Sequence, residues 1–140
     1  MEFEVRVEYP PNIQSILNEF KVSKEFIEKN GVVFTYGIVL YNPAGRTIPH
    51  HLMEHEKVHQ KQQLAIGIEE WWAKYLKDKD FRLAQELEAY RTQYQFIKER
   101  VTNKIAKDVL TQLSLDMSSE LYGNMIEYSK AENLIRKFNQ

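Results

Sequence analysis

Residues 50–66 read HHLMEHEKVHQKQQLAI, and this stretch decides how the chain is organised. All four histidines of the 140-residue chain, at positions 50, 51, 55 and 59, lie in its first ten positions. Pro49 suits the first turn of a helix that runs to about Ile66. The stretch therefore predicts one long helix on which imidazole side chains recur at helical spacing.

His55, Glu56 and His59 spell HEKVH, which matches the pattern H-E-x-x-H. Residues four apart on a helix project from one face about a turn apart, so two imidazoles can close on one ion. Glu56 lies about 100° round the helix, where its carboxylate reaches a metal-bound water without being a ligand. The pattern predicts His55 and His59 as ligands of Zn²⁺ and Glu56 as the catalytic base. The alternative is a solvated helix with scattered imidazoles.

A zinc site of this kind needs a third protein ligand from elsewhere in the chain. Glu86 and Glu88 are the candidates, in the segment RLAQELEAYRTQ at 82–93. Viewed down the axis of this predicted helix, Glu86 lies roughly 60° from the centre of the apolar stripe, whereas Glu88 lies about 140° from it. If the stripe is buried, Glu86 lies nearer the core than Glu88 does, which favours Glu86 as the third ligand. Weaker candidates, more typical of exposed helix faces, are Glu54, Glu69 and Glu70.

Composition limits the class of protein. The chain is 43% hydrophobic and 28% charged with a net charge of −1, which describes one folded domain over 1–140 without a basic field for nucleic acid. Without cysteine, a metal site must use His, Asp and Glu. No secretory signal or bilayer-spanning apolar run is visible, so we expect a cytoplasmic protein without a membrane partner.

The remaining patterns predict a small α+β domain, with a short N-terminal β-sheet followed by a mostly helical second half. Alternating residues at 3–7 predict a half-buried strand, and the β-rich residues 31–43 predict one bent strand or a tight pair. Helices are predicted at 12–20, 23–29, 49–66, 68–76, 81–101, 103–115 and 130–138.

These residues resemble the gluzincins, zinc metallopeptidases in which an HExxH helix is completed by a Glu from a later helix, commonly as E-x-x-x-D. The resemblance implies a zincin-like fold and a peptide or protein substrate. It also implies His55, His59 and Glu86 as zinc ligands and Glu56 as general base. Tyr90 stands where the group often has Asp, which leaves open the partner that orients a ligand histidine, and with it the choice of Glu86 over Glu88.

The resemblance also suggests parts of a substrate site. In zincins the edge strand beside the active helix commonly holds an extended peptide, so residues 31–43 either bind peptide or form a buried core strand. Candidates to stabilise the oxyanion are Tyr90, Arg91, Tyr94 and Tyr122, although aromatic residues at helical spacing are more often part of the core. Trp71 and Trp72 are expected in the core or an interface.

A looser likeness covers about residues 34–135. The succession of HExxH, QQ, WW, FRLAQELEAYRTQY and LYGN is similar to small uncharacterised proteins of tailed bacteriophages. The alternatives to a peptidase are a zincin-like domain that binds metal or a partner without hydrolysis, and a helical interaction protein without metal. His50 and His51 are expected as bystanders, although a row of three histidines is conceivable. The sequence predicts no oligomeric state.

Overall fold

Capping residues and glycines set the boundaries of the first helices. A computed structural model of the chain describes residues 2–137. Helix α1 spans Ile13–Phe20 and helix α2 spans Lys24–Asn30. The Ser23 hydroxyl accepts the N–H of Phe26 at the start of α2, and Gly31, at a φ of 62°, ends this helix. Both helices confirm the sequence predictions.

A three-stranded sheet precedes the long helices. Strands β2 (Phe34–Tyr36) and β3 (Val39–Tyr41) form an antiparallel hairpin, so residues 31–43 contain a tight pair of strands. Strand β1 (Glu4–Arg6) pairs in parallel with β3, giving the order β1-β3-β2. The predicted half-buried strand at 3–7 is wrong in its burial. All three residues of β1 are exposed, because β1 is an edge strand. The alternation of apolar and polar residues makes one face suitable for burial, but it does not ensure that another element packs against that face.

Five helices form the second part of the described chain, which is an α+β domain. They are α3 (His50–Ile66), α4 (Ile68–Lys77), α5 (Lys79–Lys98), α6 (Asn103–Met117) and α7 (Tyr128–Arg136). A short 3-10 turn, Glu120–Tyr122, links the last two. These helices match the predictions closely, except that the predicted last helix also contained Phe138, which lies outside the described residues.

Helix α3 contacts two apolar clusters. One surrounds Trp71 and packs α1, α2 and α4 against the sheet, and the other surrounds Tyr90 and joins α5, α6 and α7. The His59 ring centre lies 5.3 Å from that of Trp71, and the His55 ring centre lies 4.6 Å from that of Tyr90. Helix α3 therefore buries polar residues against both clusters, and those residues need hydrogen-bond or metal partners.

Within residues 2–137, no helix has both the length and the apolar character that crossing a membrane requires.

Candidate metal centre

Three predicted ligand residues meet between α3 and α5. His55 and His59 extend from α3, and Glu86 faces them from α5, with all three side chains buried. Glu86 Oε1 lies 3.1 Å from His55 Nε2 and 3.2 Å from His59 Nε2. One ligand atom from each residue lies within 4.8 Å of the other two. The chain thus brings two imidazole nitrogens and one carboxylate oxygen to a single point.

Two of the three distances between these atoms suit a tetrahedral zinc ion. Nitrogen and oxygen ligands at about 2.0–2.1 Å from zinc, separated by a tetrahedral angle, lie about 3.3 Å apart. The two distances from Glu86 Oε1 to the histidine nitrogens are close to this value. A set of three protein ligands leaves the fourth position open, as in catalytic rather than purely structural zinc sites.

Amide side chains orient both histidines. His55 Nδ1 donates to Gln93 Oε1 at 2.9 Å, and His59 Nδ1 donates to Gln62 Oε1 at 2.8 Å. A proton on Nδ1 leaves the Nε2 lone pair of a neutral imidazole free for a metal. The two glutamines therefore select the tautomer that metal binding needs.

Glu86 is held by a third neutral group, the hydroxyl of Tyr75, which donates to its second oxygen, Oε2. Burial raises the pKa of Glu86, but the charges of His59 and His55 and their hydrogen bonds outweigh it and hold this pKa well below its ordinary value. Burial and the Glu86 charge raise the pKa of Tyr75 well above 10. Tyr75 is therefore a neutral donor, and Glu86 is an anion ready to bind a cation.

Glu56 lies beside the three ligands. The Thr35 hydroxyl donates to Glu56 Oε1 at 2.8 Å, and both side chains are buried. Glu56 Oε2 lies 3.8 Å from His55 Nε2, the nitrogen that faces the metal position. One oxygen of Glu56 is thus fixed by β2 while the other is directed toward the centre, which suits a base rather than a ligand.

Two cavities reach this centre from different sides. The smaller has a volume of about 70 Å³ and is lined by apolar residues of α1, β2 and α4, including Ile16, Phe20 and Trp72. The larger has a volume of about 340 Å³ and lies toward α2 and α6. Residues that line both are Val32, Val33, His55, Glu56, Leu121 and Tyr122. The smaller cavity is lined by His55, His59, Glu86 and Glu56, whereas the larger one meets the centre at His55 and Glu56 only.

Arg82 holds the 3-10 turn, Glu120–Tyr122, which contributes residues to the lining of both cavities. Its buried guanidinium donates to the carbonyls of Tyr75, Leu76 and Tyr122, at 2.9, 3.0 and 3.1 Å. Two of these carbonyls belong to the last turn of α4, and the third belongs to the 3-10 turn. Arg82 thereby fixes the position of Tyr122 relative to the helix that carries Tyr75.

The other predicted ligands lie outside the centre. Glu88 is exposed and accepts from Gln62 Nε2 at 2.7 Å, as its position on the helix predicts. His50 is exposed, whereas His51 is half-buried and accepts from Gln93 Nε2 through its Nδ1 at 2.8 Å. His51 therefore touches the amide that orients His55 but is not in the ligand set. Glu69 and Glu70 are exposed, and Glu54 forms an ion pair with Lys57.

The candidate oxyanion donors separate into two pairs. Arg91 donates to the carbonyl of Leu134, and Tyr94 packs in the helical core, so both point away from the centre. The hydroxyls of Tyr90 and Tyr122 lie 2.9 Å apart. Both line the larger cavity, and Tyr122 also lines the smaller one. Tyr122 is therefore the one candidate donor among these four that lines both cavities.

The free edge of β2 is already hydrogen-bonded at one point. The Thr35 carbonyl accepts from Gln63 Nε2 at 2.9 Å and from Trp72 Nε1 at 3.1 Å. Trp72 is buried with Trp71, which confirms that both are core residues. The residues just before β2, Val32 and Val33, line both cavities.

Four positioning residues were not predicted from the sequence: Thr35, Gln62, Tyr75 and Gln93. Helical spacing could have indicated two of them. Gln62 follows His59 by three residues, and Gln93 follows Glu86 by seven, so each lies on the face of its neighbour. Thr35 and Tyr75 come from other elements, and no local pattern marks them.

The centre thus consists of three residues that could hold a metal ion, one further carboxylate and four neutral groups that hold them. No protein-family profile, curated protein or solved structure matches this chain.

Proposed function

We propose that this chain is a minimal zinc-dependent peptidase of the gluzincin type. The observation that carries the proposal is the convergence of His55, His59 and Glu86 with a free oxygen of Glu56 at one point reached by two cavities. Two neutral imidazoles and one carboxylate leave a single positive charge on Zn²⁺, and Glu56 offsets it. A buried centre of this kind is electrically balanced.

Each side chain has a distinct part in hydrolysis. Bound Zn²⁺ supplies Lewis-acid polarisation of a peptide carbonyl and lowers the pKa of a water molecule. Glu56 Oε2 would accept the proton of the attacking water and pass it to the leaving amine, while Thr35 holds Oε1. The Tyr122 hydroxyl would donate to the developing oxyanion. Burial and the charge of Glu86 raise its pKa well above 10, which keeps this donor protonated.

The runner-up is a structural or regulatory metal site without hydrolysis. It is favoured by the burial of all three ligand residues, because a metal there would join α3 to α5. The donor set also suits Fe²⁺ in two-histidine, one-carboxylate sites. Glu56, a carboxylate beside the three ligands that could act as a base, supports zinc-dependent peptide hydrolysis over a non-catalytic site and over an Fe²⁺ site.

Metal analysis and one substitution test the proposal. Protein purified without chelator or nickel resin is expected to contain one zinc per chain and to cleave an unfolded protein or a fluorogenic peptide mixture. Glu56→Gln is expected to keep zinc and lose 10²-fold or more of the rate. Glu54→Gln, on the same helix but paired with Lys57, is the matched control and is expected to retain the rate.

Three outcomes contradict the proposal. A preparation that contains iron or no stoichiometric metal excludes zinc chemistry. Zinc without cleavage of any peptide favours the structural site. Cleavage that persists in Glu56→Gln with zinc bound removes Glu56 from the mechanism.

A further inference from the structure

The larger cavity has features of a binding site in its own right. Its volume of about 340 Å³ is within the range of small-molecule sites. Asn30 of α2, Leu52 of α3 and Asp116 of α6 form its outer walls, and His55 and Glu56 lie at its inner end. A group that enters from α6 therefore meets the proposed catalytic centre.

The charged residues that line this cavity, apart from His55, are both acidic. They are Glu56 and Asp116, and no Lys or Arg belongs to the lining. The Asp116 carboxylate accepts one hydrogen bond, from Gln112 at 3.0 Å, and none of the ion pairs found in residues 2–137 includes it. The cavity wall thus carries a negative charge that the protein does not neutralise.

Asp116 is an exposed residue that also lines the cavity, and its charge is coupled to those of its neighbours. Burial raises the pKa of Asp116, and the Gln112 hydrogen bond and the charge of His55 lower it. The charge of Asp116 in turn contributes to the raised pKa of Tyr90, which also lines the cavity. Asp116 lines the same cavity as His55 and Tyr90, and its exposed carboxylate is accessible there to a cationic partner.

We infer that the larger cavity binds a cationic group of the substrate, a Lys or Arg side chain or a free α-ammonium, through the carboxylate of Asp116. This inference rests on the proposed peptidase function. The smaller cavity likewise has no Lys or Arg in its lining, but its acids, Glu56 and Glu86, are buried and hydrogen-bonded within the centre, so Asp116 distinguishes the larger cavity from it. The cation and the carbonyl to be cleaved would belong to one chain that runs between them.

A peptide series tests the inference through cleavage. Fluorogenic peptides of one sequence carry Lys or norleucine at each position in turn, with the N-terminus free or acetylated. Wild type is expected to cleave the best Lys peptide about tenfold or more faster than its norleucine partner, the gain expected from a hydrogen bond to a charged group. If only the free N-terminus gives the gain, the cation is the α-ammonium.

Substitution of Asp116 assigns the preference to this cavity. Asp116→Asn is expected to bring the ratio close to one. Asp108→Asn, about two turns earlier on α6, exposed and outside the cavity lining, is expected to leave the ratio unchanged. Cleavage without a cation preference, or with a preference that survives Asp116→Asn, overturns the inference but leaves the peptidase proposal intact.

A binding experiment separates the two proposals if no peptide is cleaved. Calorimetry on zinc-loaded Glu56→Gln compares the same Lys and norleucine peptides. If the Lys peptide binds more tightly and adding Asp116→Asn removes the difference, the cation site is supported. In that case only the peptidase proposal fails. Equal binding of the two peptides in that setting overturns both.

Discussion

The ion pair between His59 and Glu86 makes a specific prediction about the metal-free protein. Burial lowers the pKa of His59, but the Glu86 carboxylate, with Oε1 3.2 Å from His59 Nε2, more than reverses this effect. Together with the charge of Glu56 and the bond to Gln62, it raises the pKa of His59 to about 9. Replacing Glu86 with Gln removes the largest favourable charge, so the pKa is expected to fall below its ordinary value of 6.5.

The size of this change would set how strongly the proposed zinc binding depends on pH. With a pKa of about 9, His59 is about 97% protonated at pH 7.5, against about 9% for an ordinary histidine. Zinc requires the neutral imidazole, so binding must release this proton. The apparent affinity at pH 7.5 is then about 30-fold weaker than it would be for a permanently neutral His59.

The same pair makes the stability of the metal-free protein depend on pH. The folded-state pKa of His59 is raised, so its contribution is complete below pH 6.5 and is lost as the pH rises through about 9. The pKa of Glu86 is lowered, so its contribution is complete above the ordinary carboxyl pKa of 4.5 and is lost as the pH falls below that value toward the folded-state pKa. We therefore expect this pair to stabilise the metal-free fold most between about pH 4.5 and 6.5.

Nuclear magnetic resonance measures the titration directly. With labelled histidine, the four Cε1–H signals of the chain can be followed from pH 5 to 10.5 in the presence of chelator. The His59 signal is expected to titrate near pH 9 in wild type and in the control Glu88→Gln, whose exposed carboxylate contacts Gln62 instead. A wild-type pKa at or below 6.5, or one unchanged in Glu86→Gln, would refute the electrostatic reasoning.

Three further predictions concern the groups around the ligands. Thr35→Val is expected to reduce the rate of peptide cleavage by about tenfold without loss of zinc, because the Thr35 hydroxyl positions Glu56. Thr35→Ser keeps a hydroxyl and is expected to restore the rate, so equal losses in both variants would contradict this role. Gln93→Leu is expected to weaken zinc binding 10–100-fold in a chelator competition, whereas Gln93→Glu keeps an acceptor for His55 and retains zinc. Arg82→Met leaves three carbonyls, in two buried hydrogen bonds and one partly buried one, without their donor. Urea unfolding is expected to show a loss of about 2–4 kcal/mol, and an unchanged midpoint would argue against this anchoring.

The parts of the fold that the sequence predicted correctly depend on local chemistry. Ser23 and Gly31 bound α2 because one accepts a main-chain N–H and the other adopts a left-handed conformation. The burial of Glu86 rather than Glu88 followed from the apolar stripe of α5 and is confirmed. Each of these features needs knowledge of one element only.

The parts that the sequence did not predict depend on contacts between elements. The alternation around Val5 looks the same whether a layer covers the strand or not, and 47% of Val5 is exposed. The bond from Thr35 to Glu56 joins β2 to α3. The resemblance to gluzincins directed attention to Tyr90 as the place of an orienting residue, whereas Gln93, almost one turn later on α5, contacts His55.

This difference from the family pattern has a chemical consequence for the proposed zinc. A carboxylate beside a ligand histidine raises the basicity of its imidazole, and an amide does so less. Gln93 and Gln62 are neutral, so His55 and His59 would donate less charge to the metal than carboxylate-bound imidazoles do. A zinc ion held in this way would be a stronger Lewis acid and would bind less tightly. Gln93→Glu should therefore increase zinc affinity and raise the pH at which cleavage begins, which makes the two glutamines the residues that balance metal retention against reactivity.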